Sequence, residues 1–226
     1  MSFFKRTVLA TAAGAACLFA GSPSLRAAGF DARPVTIETH GGNVASITVT
    51  NPGDRKIYLQ NSVHEWRQNP SGQDVLSESA AAIVSPPGIW VQPGATYNLR
   101  IQLPPANDRE LAFRVILQQL PDKSEIQSGR IVFAVTQSLP AFAEPAQPTP
   151  ATLRARLVDP RHLLVTNEGG RRARLADIKA DGQIVGPGLV GYALAHSSVL
   201  VALRTPVRAG KIDIETDQGR RTIELR

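Results

Sequence analysis

The sequence predicts an all-β protein built from two β-sandwich domains. Apolar and polar residues alternate with a period of two in many short segments, which is the pattern of half-buried strands. Seventeen prolines and eighteen glycines are spread along the 226 residues, which argues against long helices, while 42% hydrophobic residues are enough to form a core. A proline-rich linker at 144–150 divides the strand-forming segments into two groups.

Residues 1–28 have the order of a secretory signal peptide, which is removed from the mature protein. A basic start precedes an apolar stretch, and small residues provide a cleavage site after Ala27 or Ala28. Cys17, the one cysteine, lies within the apolar stretch, and the alternative that it is a lipid-modified cysteine stays open. Removal of residues 1–28 takes away three basic residues and lowers the formal net charge from +6 to +3.

Charge and composition argue against several classes of protein. A charge of +3 on about 200 residues, without long basic runs, does not support nucleic-acid binding. A mature chain without cysteine forms no disulfide, so its domains must be stable through packing alone. No apolar segment reaches the roughly 20 residues of a transmembrane helix, which disfavours an integral membrane protein.

The first domain, residues 29–146, is predicted to contain about seven strands. Ala45, Ile47 and Val49 alternate with polar residues, and the turn-forming segment Asn51–Asp54 ends this strand. Similar alternating segments, most of them closed by proline or glycine, follow at 57–66, 97–103, 111–117 and 130–139.

The second domain, residues 151–226, is predicted to contain about six strands. Turn-forming segments rich in glycine, aspartate and asparagine separate them. Short strands at intervals of roughly 8–15 residues are typical of sandwiches and barrels. The alternating segments are 155–158, 162–166, 173–178, 198–203, 212–215 and 222–225.

Two motifs that could indicate enzymatic chemistry are incomplete. His64–Gln68 begins like the helical zinc motif, but Gln68 replaces the second histidine and the segment alternates like a strand. Gly186–Gly191 has the glycine spacing of a dinucleotide site, yet no helical pattern follows to bind the pyrophosphate. The four histidines are scattered, and neither a nucleophile elbow nor a P-loop occurs. We therefore predict no enzyme, no cofactor, no metal and no small-molecule substrate.

A series of short motifs keeps a fixed order through the chain, and Leu164–Gly169 continues it at the start of the second domain. The motifs of the first domain are Asp31–Val35, Ile47–Asp54, Trp66, Ser85–Pro87, Gln92–Gly94, Leu99–Ile101, Arg109–Val115 and Gln119–Pro121. Together they resemble the PapD-like periplasmic chaperones of pilus and fimbrial assembly, over nearly the whole mature chain. Leu139–Phe142 is similar to the archaic, spore-coat-U-type branch of that family.

The resemblance implies two immunoglobulin-like domains and a function without catalysis. A PapD-like chaperone binds pilus subunits in the periplasm by donor-strand complementation and delivers them to an outer-membrane usher. An exposed strand edge would also favour self-association of the free chain. Two alternatives come from other classes: a structural β-sandwich fimbrial subunit or adhesin, and a periplasmic enzyme such as a hydrolase. A fimbrial subunit usually carries a donor extension and a disulfide, and the mature chain has no cysteine pair.

The resemblance also assigns the residues that bind the subunit. In the family, the last long strand of the first domain completes the sandwich of a subunit that lacks a strand. This implies that Ile131, Phe133, Val135 and Leu139 bind the subunit, and burial of the first three contributes on the order of 4–9 kcal/mol before association is counted. The alternative that these side chains face their own domain's core stays open.

A pair of cations in the family binds the terminal carboxylate of the subunit between the two domains and so fixes the strand register. Arg33 matches the first-strand arginine of the family. The partner lysine on the donor strand is missing, because residues 136–138 are uncharged. Arg100 is the predicted substitute, although its resemblance is to an arginine that forms a structural ion pair with a glutamate, here Glu110.

Overall fold

The computed structural model describes residues 29–121, 134–208 and 210–225. Within these residues, no helix has the length and the apolar character needed to cross a bilayer. The predicted signal peptide, residues 1–28, lies outside the described residues. Ten strands precede residue 144: β1 (Asp31–Arg33), β2 (Ile37–Glu38), β3 (Val44–Thr50), β4 (Ile57–Gln68), β5 (Asp74–Glu78), β6 (Ile83–Ser85), β7 (Gly88–Val91), β8 (Thr96–Gln102), β9 (Leu111–Leu120) and β10 (Thr136–Ala143).

Seven further strands follow a stretch, residues 144–152, that is described but forms no strand. The division of the chain into domains of residues 29–146 and 151–226 stays a prediction, as does the role of this stretch as a linker. The seven strands are β11 (Leu153–Asp159), β12 (His162–Asn167), β13 (Ala173–Ala180), β14 (Gln183–Ala193), β15 (Ser197–Ala202), β16 (Lys211–Thr216) and β17 (Gly219–Glu224).

The first sandwich consists of two sheets that pack face to face. One sheet has the strand order β1-β3-β8-β6, and the other has the order β2-β10-β9-β4-β5, with β7 also paired to β4. Alternate residues on each strand point inward, so the predicted period of two becomes a shared apolar layer. Ile47 lies opposite Leu99 across the β3–β8 ladder, and both side chains are buried.

The beginning of the chain contributes an edge strand to both sheets of this sandwich. β1 pairs antiparallel with β3 in one sheet, and β2 pairs in parallel with the end of β10 in the other. The chain crosses from one sheet to the other at residues 34–36, and this crossing closes one side of the sandwich beside β10.

The second sandwich has its own pair of sheets and its own core. Its sheets have the orders β11-β12-β15 and β14-β13-β16-β17. Leu163, Leu175 and Ile178 are among the fully buried side chains between them. Because the two cores are separate, the prediction of two β-sandwich domains is confirmed.

Each sandwich contains a turn that is held by one buried asparagine. Asn51 follows β3, and Asn167 ends β12. In both turns the side-chain amide group donates hydrogen bonds to backbone carbonyl oxygens, and the side-chain oxygen accepts one from an N–H two residues further on. The partners are the carbonyl oxygens of Arg55 and Val91 and the N–H of Gly53 for Asn51, and the carbonyl oxygens of Arg171 and Ala193 and the N–H of Gly169 for Asn167.

We expect Asn51→Ala to lower the free energy of unfolding by about 2–4 kcal/mol, because one buried and two part-buried backbone groups would lose their partner. Urea denaturation followed by circular dichroism measures the change. Asn98→Ala is the matched control: Asn98 is exposed and accepts one hydrogen bond, from Thr48, so its replacement should change stability by less than about 0.5 kcal/mol. Equal losses in the two variants would contradict this role of Asn51.

Candidate functional site

Among the described residues, β10 has a strand partner along only one of its two edges for most of its length. It pairs antiparallel with β9 through all eight of its residues. On its other side, the described residues provide only β2, which pairs at Ala141 and Phe142. Within the part of the chain that the structure describes, the backbone from Thr136 to Pro140 therefore has a side without a strand partner. Such an edge can pair with a strand from another chain.

The C-terminal half of β10 belongs to the core of its own domain. Leu139 and Ala141 are buried in the first sandwich, while Ser138, which precedes them on the opposite face of the strand, is exposed. The prediction that Leu139 binds a subunit is corrected by this burial: the side chain is 7% exposed because it fills the sandwich from within.

The other predicted donor residues lie towards the beginning of this strand. Val135 is half-buried and packs against the core of the first sandwich, so its inner side is already in contact with its own domain. Ile131 and Phe133 lie outside the described residues, and their assignment stays a prediction.

Arg33 lies beside the free edge of β10. It is exposed at the end of β1, immediately before the chain crosses to β2. The carbonyl oxygen of Phe30 accepts a hydrogen bond from Gln137, and Ile37 pairs with Ala141. Because these contacts flank Arg33 in sequence, the segment that carries it runs alongside β10 between Gln137 and Ala141.

Arg100 lies in the other sheet, and its predicted ion pair with Glu110 is wrong. It is exposed on β8, opposite Ser46 on one side and Ser85 on the other. Glu110 is buried just before β9 and forms its ion pair with Arg172 of the second sandwich instead. The core of the first sandwich separates the sheet of β8 from that of β10, which also argues against Arg100 as the second cation beside the donor edge.

An apolar cluster joins the two sandwiches. Trp66 and Phe142 lie on the outer face of the first sandwich, and Tyr192 comes from β14 of the second. Their ring centroids are 5.7–6.1 Å apart, within the range of favourable aromatic contact. Phe142 thus connects the end of β10 directly to the second domain.

Arg172 is the centre of an ion network at the same junction. Its side chain is 3% exposed, and it donates hydrogen bonds to the carboxylates of Glu38, Glu110 and Glu144. Its Nη1 lies 3.1 Å from Oε1 of Glu144, and its guanidinium carbon lies 3.7 Å from the ring centroid of Phe142. A buried guanidinium needs such partners, because an unpaired charge in the interior is strongly destabilising.

The network contains three carboxylates and two guanidiniums, since Arg171 also lies 3.1 Å from Glu144. Burial raises the pKa of Glu110 to about 7, although Arg172 acts in the opposite direction. Burial also acts to raise the pKa of Glu144, but the hydrogen bond from Arg172 and the charge of Arg171 outweigh it, so this pKa is lowered. The surplus carboxylate is therefore Glu110, which takes up a proton near neutral pH.

Arg114 is a second cation at the junction, and the sequence did not assign it a role. It lies on β9 opposite Pro140 of β10, with its guanidinium carbon 3.7 Å from the ring centroid of Trp66. It lines a cavity of about 270 Å³ together with Tyr192 and Leu200 of the second sandwich. Burial lowers its pKa, while the charge of Asp74 acts in the opposite direction. Among the described residues Arg114 has no ion pair, so its charge can bind a ligand.

One signal for Arg114 was present in the sequence. It is a charged residue that alternates with Phe113 and Val115, so it had to lie on the outer face of its strand. What the sequence did not reveal is that this outer face meets the second domain.

Glu38, His40 and Glu144 are the described residues whose grouping could suggest a metal centre, with ligand atoms within 4.8 Å of one another. The ring nitrogens of His40 face both carboxylates, at 3.0 Å from Glu144 and 3.5 Å from Glu38. Glu144 also contacts Arg171 and Arg172, whose positive charges oppose a cation. The grouping is therefore explained as the outer part of the ion network.

The two incomplete motifs are both parts of strands. His64–Gln68 ends β4, which confirms the interpretation of that segment as a strand. Gly186–Gly191 lies within β14. In neither segment does a helix present the residues as the zinc or dinucleotide site would require.

Comparison with known families gives one match. A family described as the pili and flagellar-assembly chaperones, PapD N-terminal domain, matches residues 33–149, which is more than half of the chain. A search of curated proteins finds no match.

Several solved structures share the fold. The CsuC–CsuE chaperone–tip adhesion subunit pre-assembly complex from archaic chaperone-usher Csu pili of Acinetobacter baumannii contains a chain that is 24% identical, with a TM-score of 0.69, covering 88% of this chain and all of that chain. A chain of the Salmonella enterica SafA pilin–SafB chaperone complex is 20% identical, with a TM-score of 0.66, covering 88% of this chain and 98% of that chain. The Escherichia coli chaperone DraB is 19% identical, with a TM-score of 0.61, covering 87% of this chain and 98% of that chain. These likenesses agree with the two-domain all-β architecture.

We expect the stability of the domain junction to depend on pH through Glu110. Its carboxyl group has a pKa of about 7 in the folded chain and an ordinary value of 4.5, so between these values the folded chain binds the extra proton. Stability from this group therefore rises as the pH falls from about 7.5 to 5, by at most about 1.4 kcal/mol per pH unit, and is lost as the pH rises through 7. Glu110→Gln should remove this slope.

Urea unfolding at a series of pH values tests the expectation. In a Trp90→Phe background, Trp66 is the remaining tryptophan, and its emission reports on the junction. Glu78→Gln, at an exposed position on β5, should keep the slope of the parent. A Glu110→Gln variant with an unchanged slope would contradict the assignment.

Proposed function

We propose that this chain, which belongs to the family of pili and flagellar-assembly chaperones, binds fimbrial subunits in the periplasm by donating the free edge of β10 to them. The family is a non-enzymatic class of assembly chaperones. The observation that supports the proposal is the backbone between Thr136 and Pro140, one side of which has no strand partner within residues 29–121, 134–208 and 210–225. An edge of this kind adds a strand to a partner whose sheet is incomplete, a mode of recognition known for pilus chaperones.

The proposed partners are small fimbrial subunits that lack one strand. Two of the similar structures support this class of partner, because their names describe a chaperone bound to a tip adhesion subunit and to a pilin. Delivery of the subunit to an outer-membrane usher belongs to the same proposal, as does a place in the archaic branch, which the Leu139–Phe142 motif and the likeness to the Csu complex support. The alternative of a structural subunit or adhesin lacks such support.

Residues 1–28 are proposed to direct the chain to the periplasm and to be removed there. We propose that the donor side chains are Ile131, Phe133 and Val135, which precede the free edge and continue into it. The half-exposed position of Val135 supports this in part, because the side chain has a surface left for a partner. Leu139 takes no part, since its own core encloses it.

The subunit's terminal carboxylate is proposed to bind between Arg33 and Arg114. These arginines flank the middle of β10 from two sides: Arg33 on the segment beside its free edge, and Arg114 on the paired strand, opposite Pro140. Two guanidiniums provide charge-assisted hydrogen bonds to one carboxylate and would fix the strand register. Arg114 replaces Arg100 in this role, because it lies in the same sheet as the donor strand.

We expect the double variant Ile131→Asp, Phe133→Asp to lose the complex with a fimbrial subunit encoded beside the chaperone. Charged side chains cannot fill the apolar groove of the subunit, so the gross contribution of two of the three apolar side chains, roughly 3–6 kcal/mol at roughly 1.5–3 kcal/mol each, would be removed. Co-purification from the periplasm measures the complex. The matched control is Val158→Asp, Ile184→Asp, which places two charges on exposed positions of the second domain and should leave the yield unchanged.

Retention of the complex in the Ile131→Asp, Phe133→Asp variant, with folding verified by circular dichroism, would refute the donor role of these residues. Loss in the control as well would show that added charge alone reduces the yield, and would equally remove the support for strand donation.

We expect Arg33→Ala and Arg114→Ala each to weaken subunit binding by about 10- to 100-fold, because each removes one charge-assisted partner of the carboxylate. Arg100→Ala, at an exposed arginine of the opposite sheet, is the control and should have no effect. Subunit exchange between tagged and untagged chaperone measures relative affinity. A subunit extended at its carboxyl end should bind the parent chaperone about as weakly as the normal subunit binds the Arg114→Ala chaperone. If the extended subunit bound the Arg114→Ala chaperone more weakly still, by the sum of the two losses, the extension and Arg114 would not act on a shared anchor.

A further inference from the structure

The turn between β4 and β5 belongs to the first domain but contacts the second. We infer that Gln68, the last residue of β4, and Gly72 in this turn are positioning residues, which fix the orientation of the second domain in the free chain. The turn is closed by hydrogen bonds of its own. Asn69 accepts hydrogen bonds from the backbone N–H groups of Ser71 and Gln73 at 3.0 Å, and its own carbonyl accepts one from Gly72.

Gly72 docks onto the outer edge of β15. The backbone N–H of Leu200 donates to the carbonyl oxygen of Gly72 at 2.9 Å, so the turn covers an edge that the sheet β11-β12-β15 leaves open. Gly72 has a φ of +79°, and a Cβ at this position would lie 2.5 Å from the backbone nitrogen of Leu200 and 2.9 Å from the carbonyl carbon of Val199. Backbone atoms cannot yield as a flexible side chain does, so a side chain here would separate the two domains.

Gln68 forms a second contact across the junction. Its side-chain amide donates to the carbonyl oxygen of Tyr192 at 2.7 Å, and its side-chain oxygen accepts from the N–H of Leu194 at 3.1 Å. The amide group thus satisfies one backbone acceptor and one backbone donor of the second domain. A glutamate of the same shape could accept from Leu194 but could not donate to Tyr192.

The turn and the Arg172 network lie on different parts of the junction. The Arg172 network joins residues before β9 and after β10 to the start of β13, whereas the turn joins the end of β4 to β15. The aromatic cluster of Trp66, Phe142 and Tyr192 provides a further contact. With the network or the aromatic cluster alone, one domain could still rotate against the other about that contact. The turn adds an attachment at a different place, and it can therefore set the angle between the domains.

The orientation matters for the cavity that contains Arg114. Gly72 lines this cavity together with Leu200, so the contact between them is also part of its wall. The effect on subunit binding rests on the proposed function, but the orientation of the free chain does not.

The experiment compares Gly72→Ala with Gly182→Ala. Both glycines have nearly the same positive φ, +79° and +78°, but no atom lies within 4 Å of a Cβ at Gly182. Backbone strain is therefore matched, and only the contact with the second domain differs. Spin labels on Ser46→Cys and Val158→Cys, both exposed, report the distance between the domains by pulsed electron paramagnetic resonance, with Cys17→Ser removing the one natural cysteine.

We expect the distance distribution of the full chain to become roughly twice as broad in Gly72→Ala and to stay unchanged in Gly182→Ala. If Gly72→Ala does not fold, Gln68→Glu provides the same test, with Gln60→Glu at an exposed position of β4 as its control. A narrow, unshifted distribution in both Gly72→Ala and Gln68→Glu would overturn the inference.

Failure of the proposed strand donation is distinguishable from failure of this inference. The Ile131→Asp, Phe133→Asp variant tests the donation through the yield of the subunit complex, and the distance distribution of the free chain does not depend on it.

Discussion

The burial of Arg172 is the interaction on which the arrangement of the two domains depends. Its guanidinium reaches three carboxylates that lie before β9, after β10 and within β2, so a single side chain of the second domain binds three separate segments of the first. Such a charge is tolerated in the interior only when its partners are in place, because desolvation is large and an unpaired partner is penalised further. The network therefore holds the two domains together on this side of the junction, whereas the turn between β4 and β5 restricts their orientation on another side.

This arrangement divides β10 into two functional halves. Its last residues are enclosed: Ala141 lies in the first core, Phe142 packs against Tyr192, and Glu144 immediately after the strand contacts Arg172. Its first residues have β9 on one side and, among the residues that the structure describes, no strand on the other. A strand that is anchored at one end and open at the other can accept a partner without unfolding, and the fixed end defines where the partner must stop.

Local features of the fold could be predicted from the sequence, whereas the junction could not. The alternation around Ile47 and around Leu99 predicted two half-buried strands, because the period of two depends on neighbouring residues along the chain. The partners of Arg172 lie up to 134 residues away in sequence, and Arg171–Arg172 follows two glycines like an ordinary exposed turn. Family resemblance suggested Arg33, whose role stays a proposal, and gave Glu110 the wrong partner, since it carried no information on which sheet faces the second domain.

The docking of Gly72 on β15 has a consequence for the independence of the two domains. Each sandwich has its own core, and on that criterion either could exist alone. In a second domain expressed in isolation, however, the edge of β15 would be exposed to solvent. The side chains of Tyr192 and Leu194, which lie against the first domain in the whole chain, would be exposed as well. Exposed strand edges of this kind promote aggregation. The first domain thus shields this surface of the second domain from other chains. Truncation within residues 144–152 would yield fragments that are folded but prone to aggregate.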